Sequence, residues 1–505
     1  MENIESENQN TIPLLGIDAE REDIDNDIYG SATNEGKSEA WISCFSSELQ
    51  TIITLAFGII VSRGSWVVIK STDTALLGHV SAEALAASSI SDLWTMSTGV
   101  FLNGGVLGVF VGQAIGAGNK SLASTWFSVS MFVLGLLTFP VMALWWLTGP
   151  VLGLFHSHDE VLHKASYYAI VMSLCLPART LMGQISQFLS ANSMVKPEAV
   201  VSIFAATMNL VLGVVFVLGW PIKGFDGFGF KACGWVTVST EYFQLIVLWF
   251  CFIYLQQIPS KIGWTVSSYS EITKARVLEY LKLYVPSAMS TASDFWRMAV
   301  IGVFAAELGD DDVATFNASY RILWISLTFV GSLSFSCRIR LSAAVGAGDQ
   351  DRARHIIKLG TGLTIAILLA TTLAVLAFTR DFALLFTDDD EIVNLFIDSR
   401  LPMCLTLFFM NLAVFLEGIP VALGRTKTVF YAGVLGSWAG QVPLSYLAIR
   451  YWKHNLIGLY YGVAGGYVLL TVLLSLVIIT TDFHAVIEEA QRRSEVNDEV
   501  DNTGL

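Results

Sequence analysis

Apolar runs long enough to cross a lipid bilayer recur throughout this chain, and no other feature restricts its fold as strongly. Twelve are read, at about 50–75, 84–108, 122–147, 160–190, 196–219, 230–256, 274–305, 314–338, 352–378, 393–423, 427–450 and 455–480. About 20 apolar residues in a helix span the hydrocarbon. The backbone finds no water there, so such runs become helices. They are rich in glycine and other small residues, which membrane helix packing prefers. With 54% hydrophobic and only 14% charged residues among 505, the composition does not suit a soluble protein of this size. The expected fold is an all-α polytopic membrane protein.

The net charge of −14 belongs to the two ends. Residues 1–40 hold 11 acids and 2 bases, and residues 481–505 hold 7 acids and 2 bases, so the apolar core is formally neutral. Both ends read as acidic, solvated tails, with 1–44 expected to be disordered. No basic patch of the kind nucleic acid requires is present. The first 40 residues lack an apolar h-region, so no cleavable signal peptide is expected. NTIPLL (10–15) is similar to a dileucine sorting signal, with Asn10 where an acid is usual. Six scattered cysteines without a CxxC read as small hydrophobes in packed helices. HSHD (156–159) reads as loop composition rather than a metal site.

Lysine and arginine in the short connections orient the spans. Lys120, Lys196, Lys261, Lys274, Arg276, Arg338, Arg340, Arg352, Arg354, Lys358, Arg425 and Lys427 fall on one side. The other side carries Lys223, Lys231, Arg380, Arg450 and Lys453, with the acidic runs GDDD (309–312) and TDDDE (387–391). The first side and both tails are therefore expected in the cytoplasm. The two halves also repeat. VGQAIGAGNKSLA (111–123) matches LSAAVGAGDQDRA (341–353) at an offset of 230, which Trp94 and Trp324 share, and Lys196 and Lys427 differ by 231. Six spans per half is an even number, so the halves share one topology and form a parallel repeat. The expected architecture is twelve transmembrane helices in two pseudo-symmetric six-helix bundles. An N-lobe covers 45–256 and a C-lobe 274–480, joined by a cytoplasmic linker at 257–273 and flanked by the tails 1–44 and 481–505.

Several of these segments carry a family resemblance. TDTALLGHVSAEALAASSI (72–90) resembles the first-helix signature of the multidrug and toxic compound extrusion (MATE) transporters. GQAIGAGN with VGAGDQDRA, GFKACGWVTVSTEY (229–242) and FLEGIPVALGRTK (415–427) resemble later segments of the same family, in order and spacing, over about 45–480. The resemblance implies a cation-coupled antiporter with a central cleft, exchanging H+ or Na+ for an organic solute. It makes Asp73 an N-lobe site acid. In the fifth span Asn209 matches the family pattern, but Gly213 stands where an aspartate is usual. In the C-lobe, Asp294 follows Pro286 at the family's spacing for an acid, Ala299 replaces a further glutamate, and Glu417 precedes Gly418 where some members carry an acid.

A charge at the centre of a membrane helix costs about 2.5–3.5 kcal/mol on insertion scales, so each needs a partner, an aqueous cleft or an interface. For Asp73 the alternatives are a coupling acid, an interfacial residue, or a group neutralised by Lys70 one turn earlier. Asp294 and Arg297 share a face three residues apart, either as a structural ion pair or as an exchangeable carboxylate with its modulator. Glu417 is either a coupling acid or a polar residue near the Arg425–Lys427 loop. Asp92 is placed to approach Lys70 or Arg63 in a charge network within the bundle. Asp294, Asp73 and Glu417 are the expected cation-coupling residues, with Asp294 ranked first. Asn209, Arg297, Asp92, Asn411 and Trp296 are the expected lining of a substrate cleft.

No Walker loop and no mid-span histidine are present, so neither ATP hydrolysis nor intramembrane histidine chemistry is expected, and the chain is not read as an enzyme. The expectation is an antiporter driven by an H+ or Na+ gradient and needing no cofactor, a monomer in a plasma or vacuolar/endomembrane bilayer. Its partners would be a small organic solute and the coupling cation. The alternative is a lipid-linked precursor flippase of the same superfold, with Arg63, Lys70, Arg179, Arg297 and Arg321 gripping pyrophosphate.

Overall fold

A computed structural model describes residues 34–154, 159–262, 271–385 and 389–502. NTIPLL, His156 and His158 lie outside the described residues. The chain divides into two units, Met1–Ile52 and Ile53–Leu505. Only the start of a helix is described in the first unit, and the helical bundles belong to the second.

The described secondary structure is helical. The helices of the first half are α1 (Asn34–Val80), α2 (Ala82–Gly99), α3 (Leu107–Gly116), α4 (Lys120–Trp146), α5 (Asp159–Ser173), α6 (Cys175–Ala191), α7 (Lys196–Leu218) and α8 (Phe230–Val247). Those of the second half are α9 (Lys274–Ala306), α10 (Asp310–Gly346), α11 (Gln350–Ala377), α12 (Asp390–Ala422), α13 (Thr426–Val434), α14 (Val442–Leu447), α15 (Leu456–Thr480) and α16 (Phe483–Asn502). Nine spans among the described residues are long and apolar enough to cross a membrane, or ten if α5 and α6, bent by 44° at their junction, count as one. The other two expected spans are helical too. They are α9, which carries Asp294 and Arg297, and the α13–α14 region, which π-helical turns at Leu435–Gln441 and Ala448–Trp452 divide.

The repeat is visible in how helices end. After α3, Asn119 N–H bonds to the Ala114 carbonyl (2.9 Å) and Gly118 N–H to Ile115 (2.9 Å). After α10, Asp349 N–H bonds to Ala344 (3.0 Å) and Gly348 N–H to Val345 (3.1 Å). Each is a Schellman turn, which places one residue in the left-handed region. Gly118 (φ +76°) and Gly348 (φ +74°) occupy it, and an L side chain would be strained there. Asn119 and Asp349 then cap the next helices, accepting from Leu122 N–H and Arg352 N–H at 2.9 Å each. The shared GAG[N/D] is thus a helix stop followed at once by a helix start.

Three boundaries differ from the sequence reading. The first helix, α1, already begins at Asn34, inside the segment 1–44 expected to be disordered. The span drawn to end at 338 continues in α10 to Gly346, so Arg338 and Arg340 lie in a helix rather than a loop. The acidic segment after 481, expected to be a solvated tail, is helical as α16. Val486 and Ala490 are each 2% exposed and Arg493 follows on the same face. Arg493 donates to Gln113 (3.1 Å) and pairs with Glu489 and Glu279, while Arg425 pairs with Glu489 at 3.2 Å. This stripe docks α16 onto the GAG turns, where a Cβ on Gly348 would stand 3.3 Å from Gln491.

The start of α9 belongs to the packing of the first half. Tyr280 stacks on Phe110 (5.5 Å between centroids). Ser287 donates to the Gly104 carbonyl (2.6 Å), and Tyr284 to the Phe101 carbonyl (2.5 Å). The break between α2 and α3 makes room: a Cβ on Gly104 would sit 2.4 Å from the Tyr284 ring.

Candidate functional site

Between the two bundles lies a cavity of about 780 Å³. It is bounded at the GAG end by close backbone packing of α3 on α10. A Cβ on Gly116 would meet the Ala343 carbonyl oxygen at 2.0 Å, and a Cβ on Gly112 the Ser342 Cβ at 2.9 Å. Gln113 Nε2 adds a hydrogen bond to the Ala422 carbonyl (3.3 Å). Only glycine permits such an approach.

Beside the cavity, within the first bundle, α1, α7 and α8 converge on Asp73, which is 2% exposed. Thr237 Oγ1 donates to one carboxylate oxygen (2.8 Å) and Asn209 Nδ2 to the other (3.3 Å). No cation lies in ion-pair range of Asp73 among the described residues. Lys70, the expected neutraliser, turns to Asp92 on α2 instead (3.2 Å). Asp73 is therefore buried and has no ion-pair partner among the described residues. One turn along each helix, a Cβ on Gly213 would stand 2.4 Å from Leu76 Cδ1. Leu76 fills the space that a second acid on α7 would need.

The cavity wall is charged, and half of its charged residues form ion pairs within the first bundle. Lys70 and Asp92 form one pair, Arg179 on α6 and Glu241 on α8 a second, and Glu198 accepts from Ser186. Arg63 on α1 and Arg338 on α10 differ. Both guanidinium groups lie over the Phe335 ring, at 5.6 and 4.6 Å from its centroid. Neither has an ion-pair or hydrogen-bond partner among the described residues.

In the second bundle, Asp294 pairs with Arg297 at 3.0 Å, and Arg297 bonds Gln441 and lies 4.9 Å over Tyr467. Gln441 is held in turn by the Val463 carbonyl (3.1 Å), and Trp438 Nε1 donates to Ser293 (2.7 Å). Glu417 lines the cavity and accepts from Ser290 at 3.2 Å, one turn before Asp294. It faces the cleft, not the Arg425–Lys427 loop.

Comparison with known proteins agrees with this geometry. A family profile described as MatE matches residues 46–215 and 286–447. The chain belongs to the MATE family. It is 25% identical over 475 residues to multidrug and toxin extrusion protein 1 of Xenopus tropicalis, covering 90% of this chain and 79% of that one. It is 21% identical over 443 residues to the probable multidrug resistance protein NorM of Photorhabdus laumondii, covering 85% and 95%. Among solved structures, the eukaryotic MATE transporter AtDTX14 superposes with a TM-score of 0.79 at 20% identity, covering 89% of this chain and 99% of that one. The Vibrio cholerae MATE transporter VcmN in its bent form superposes with 0.76 at 15%, covering 89% and 99%. The twelve-helix MATE fold is thus shared, and the protein is an integral membrane transporter rather than an enzyme.

The MATE fold places the expected residues unequally. Of the five expected to line the substrate cleft, Asp92 does so. Asn209 is turned inward onto Asp73. Arg297 is locked inside the second bundle. Asn411 is fully buried, bonding back to the Leu407 carbonyl (2.8 Å), and Trp296 packs edge-on against Phe101 at 6.1 Å. Helix rotation decides these outcomes, and a mid-span position does not reveal it. Of the five basic residues assigned to a pyrophosphate grip, Lys70, Arg179 and Arg297 are ion-paired, and Arg321 is not on the cavity wall. Arg338 was missed as a site residue because its span was drawn too short. Its signal was an arginine two turns before a GAG stop, inside a continuous apolar pattern.

Proposed function

We propose that this protein is a secondary active antiporter that exports or sequesters organic solutes, such as drug-like cations, secondary metabolites or organic acids, in exchange for H+ or Na+. The observation that carries the reading is Asp73. It is a buried carboxylate held by two neutral donors and no cation, beside a cleft between two related bundles. An ionisable group so placed in a membrane helix marks an ion pathway, and paired bundles of parallel topology work by rocking about a central site. Asp73 and Glu417 take up or release the cation. Asp294 must first leave Arg297, and so ranks behind them. The names of the relatives support multidrug and toxin export. A pH unit supplies about 1.4 kcal/mol per proton, and 100 mV about 2.3 kcal/mol per charge, enough for tens-fold solute gradients. The protein works as a monomer in a plasma or vacuolar/endomembrane bilayer, with both termini and the closed GAG end toward the cytoplasm.

Proteoliposomes loaded with ethidium and given a pH gradient, then a Na+ gradient, test the proposal. The wild type accumulates dye against its gradient, and D73N and E417Q lose accumulation while retaining downhill exchange. Wild-type accumulation by D73N, D294N and E417Q alike would remove all three from coupling. No gradient-driven flux in the wild type would end the antiporter reading.

A further inference from the structure

Two positive groups in the cavity lining have no ion-pair partner among the described residues, and the fold makes room for both. A Cβ on Gly331 would stand 3.0 Å from Arg63 Nη1, and one on Gly105 would stand 3.6 Å from Arg338 Nη2. The groups share the Phe335 ring. Glu198 and Glu417 line the same cavity. Each is occupied by a serine hydroxyl, Ser186 and Ser290, and neither is in ion-pair range. Arg63 is exposed to the cavity and Arg338 half-buried in its lining, so both guanidinium groups are open to a ligand there, and a cation–π contact contributes only about 0.5–2 kcal/mol. Elsewhere on the same wall each basic residue has a carboxylate partner, Asp92 for Lys70 and Glu241 for Arg179. Guanidinium forks match carboxylate, sulfonate and phosphate oxygens. Trp66 and Phe295 line the same cavity and offer flat apolar surface for the body of such a ligand.

We infer that Arg63 and Arg338 form an anion subsite in the central cavity, taking the carboxylate, sulfonate or phosphate of an organic anion with a planar apolar body. The inference rests on reading this cavity as the transport pathway, and adds which residues take the anionic group of such a cargo. A soluble aromatic anion and a lipid phosphate share the recognised chemistry.

The test uses the full purified chain in nanodiscs, with fluorescein as a xanthene anion and pyronin Y as a xanthene cation of similar shape. Arg63→Gln and Arg338→Gln should each weaken fluorescein binding about tenfold, and the double variant more, which is the scale of a lost hydrogen bond to a charged group. Arg338→Lys should retain intermediate affinity, and pyronin Y should bind all variants at least as well as the wild type, which also reports that they are folded. Equal fluorescein affinity in the wild type and the double variant would overturn the subsite. An equal loss of pyronin Y would do the same. Displacement of fluorescein by naphthalene sulfonate but not by dioctanoyl phosphatidate assigns the soluble source, the reverse assigns the lipid source, and displacement by neither overturns the proposal. Arginine-dependent fluorescein binding without gradient-driven flux would keep the subsite and sink the antiporter reading. Gradient-driven pyronin Y flux with arginine-independent fluorescein binding would do the opposite.

Discussion

Gly116 and Gly346 occupy reciprocal positions across one seam. A Cβ on Gly116 would lie 2.0 Å from the Ala343 carbonyl oxygen, and a Cβ on Gly346 would lie 2.0 Å from the Gln113 carbonyl oxygen. The repeat offset of 230 carries Gly116 onto Gly346 and Gln113 onto Ala343, so one pair maps onto the other. The two halves therefore meet here about a pseudo-twofold axis, as a parallel repeat requires.

A side chain at this seam meets backbone, which cannot move aside. Gly116→Val should open the GAG end, with an overpacking cost of about 1–3 kcal/mol falling on the closed state alone. Spin labels on Ser121 and Asp351, which head α4 and α11, should move apart and solute accumulation should fall. An unchanged distance distribution would show that the seam does not gate the cavity.

The Lys70–Asp92 pair is partly exposed, at 17% and 28%. Lys70→Met should cost between the about 1 kcal/mol of an exposed pair and the about 3–5 kcal/mol of a buried one. The added Asp92→Leu change should recover part of that loss, because the stranded charge goes with it. Thermal unfolding in detergent reads both, and a double variant no more stable than Lys70→Met would contradict the pairing.

Gly213 and Leu76 exclude each other's larger alternatives. Gly213→Asp alone should lower the melting temperature, since its Cβ would enter the Leu76 side chain. Gly213→Asp with Leu76→Ala should regain stability and place two acids beside Asn209, steepening the pH dependence of transport. Equal stability of the single and double variants would mean that Leu76 does not close this space.

Arg493 ties α16 to Gln113 beside the seam. Arg493→Ala, or removal of residues 483–502, should raise cysteine labelling at an introduced Ala343→Cys severalfold, with a smaller effect on the overall fold. Labelling that stays at the wild-type level would leave α16 without a part in holding this end closed.

Much of the fold was legible in the chain. The long apolar runs, the GAG[N/D] stops and the offset of 230 reflect requirements met within one helix or one turn. In lipid the backbone must satisfy itself locally, and a Schellman turn needs its glycine wherever it occurs. The site was less legible. Asp73 and Asn209, 136 residues apart, were both assigned to the first-half site through the family resemblance, but Thr237, 164 residues from Asp73, was not. Asp92 was expected near Lys70 or Arg63, and the fold chose Lys70. The acids of residues 481–505 suggested a solvated tail, yet a stripe at Val486, Ala490 and Arg493 docks that helix.

The sequence alone thus determined which apolar segments are helices, that the two GAG turns stop them, and that the chain is built of two equivalent halves. The tertiary structure alone decided which charges meet. It paired Lys70 with Asp92 and Arg179 with Glu241, left Asp73 without a cation among the described residues, and brought Arg63 and Arg338 onto one phenylalanine. The physical reason is that helix formation in a membrane is satisfied residue by residue, whereas the partner of a side chain depends on how each helix is rotated and how the bundles dock.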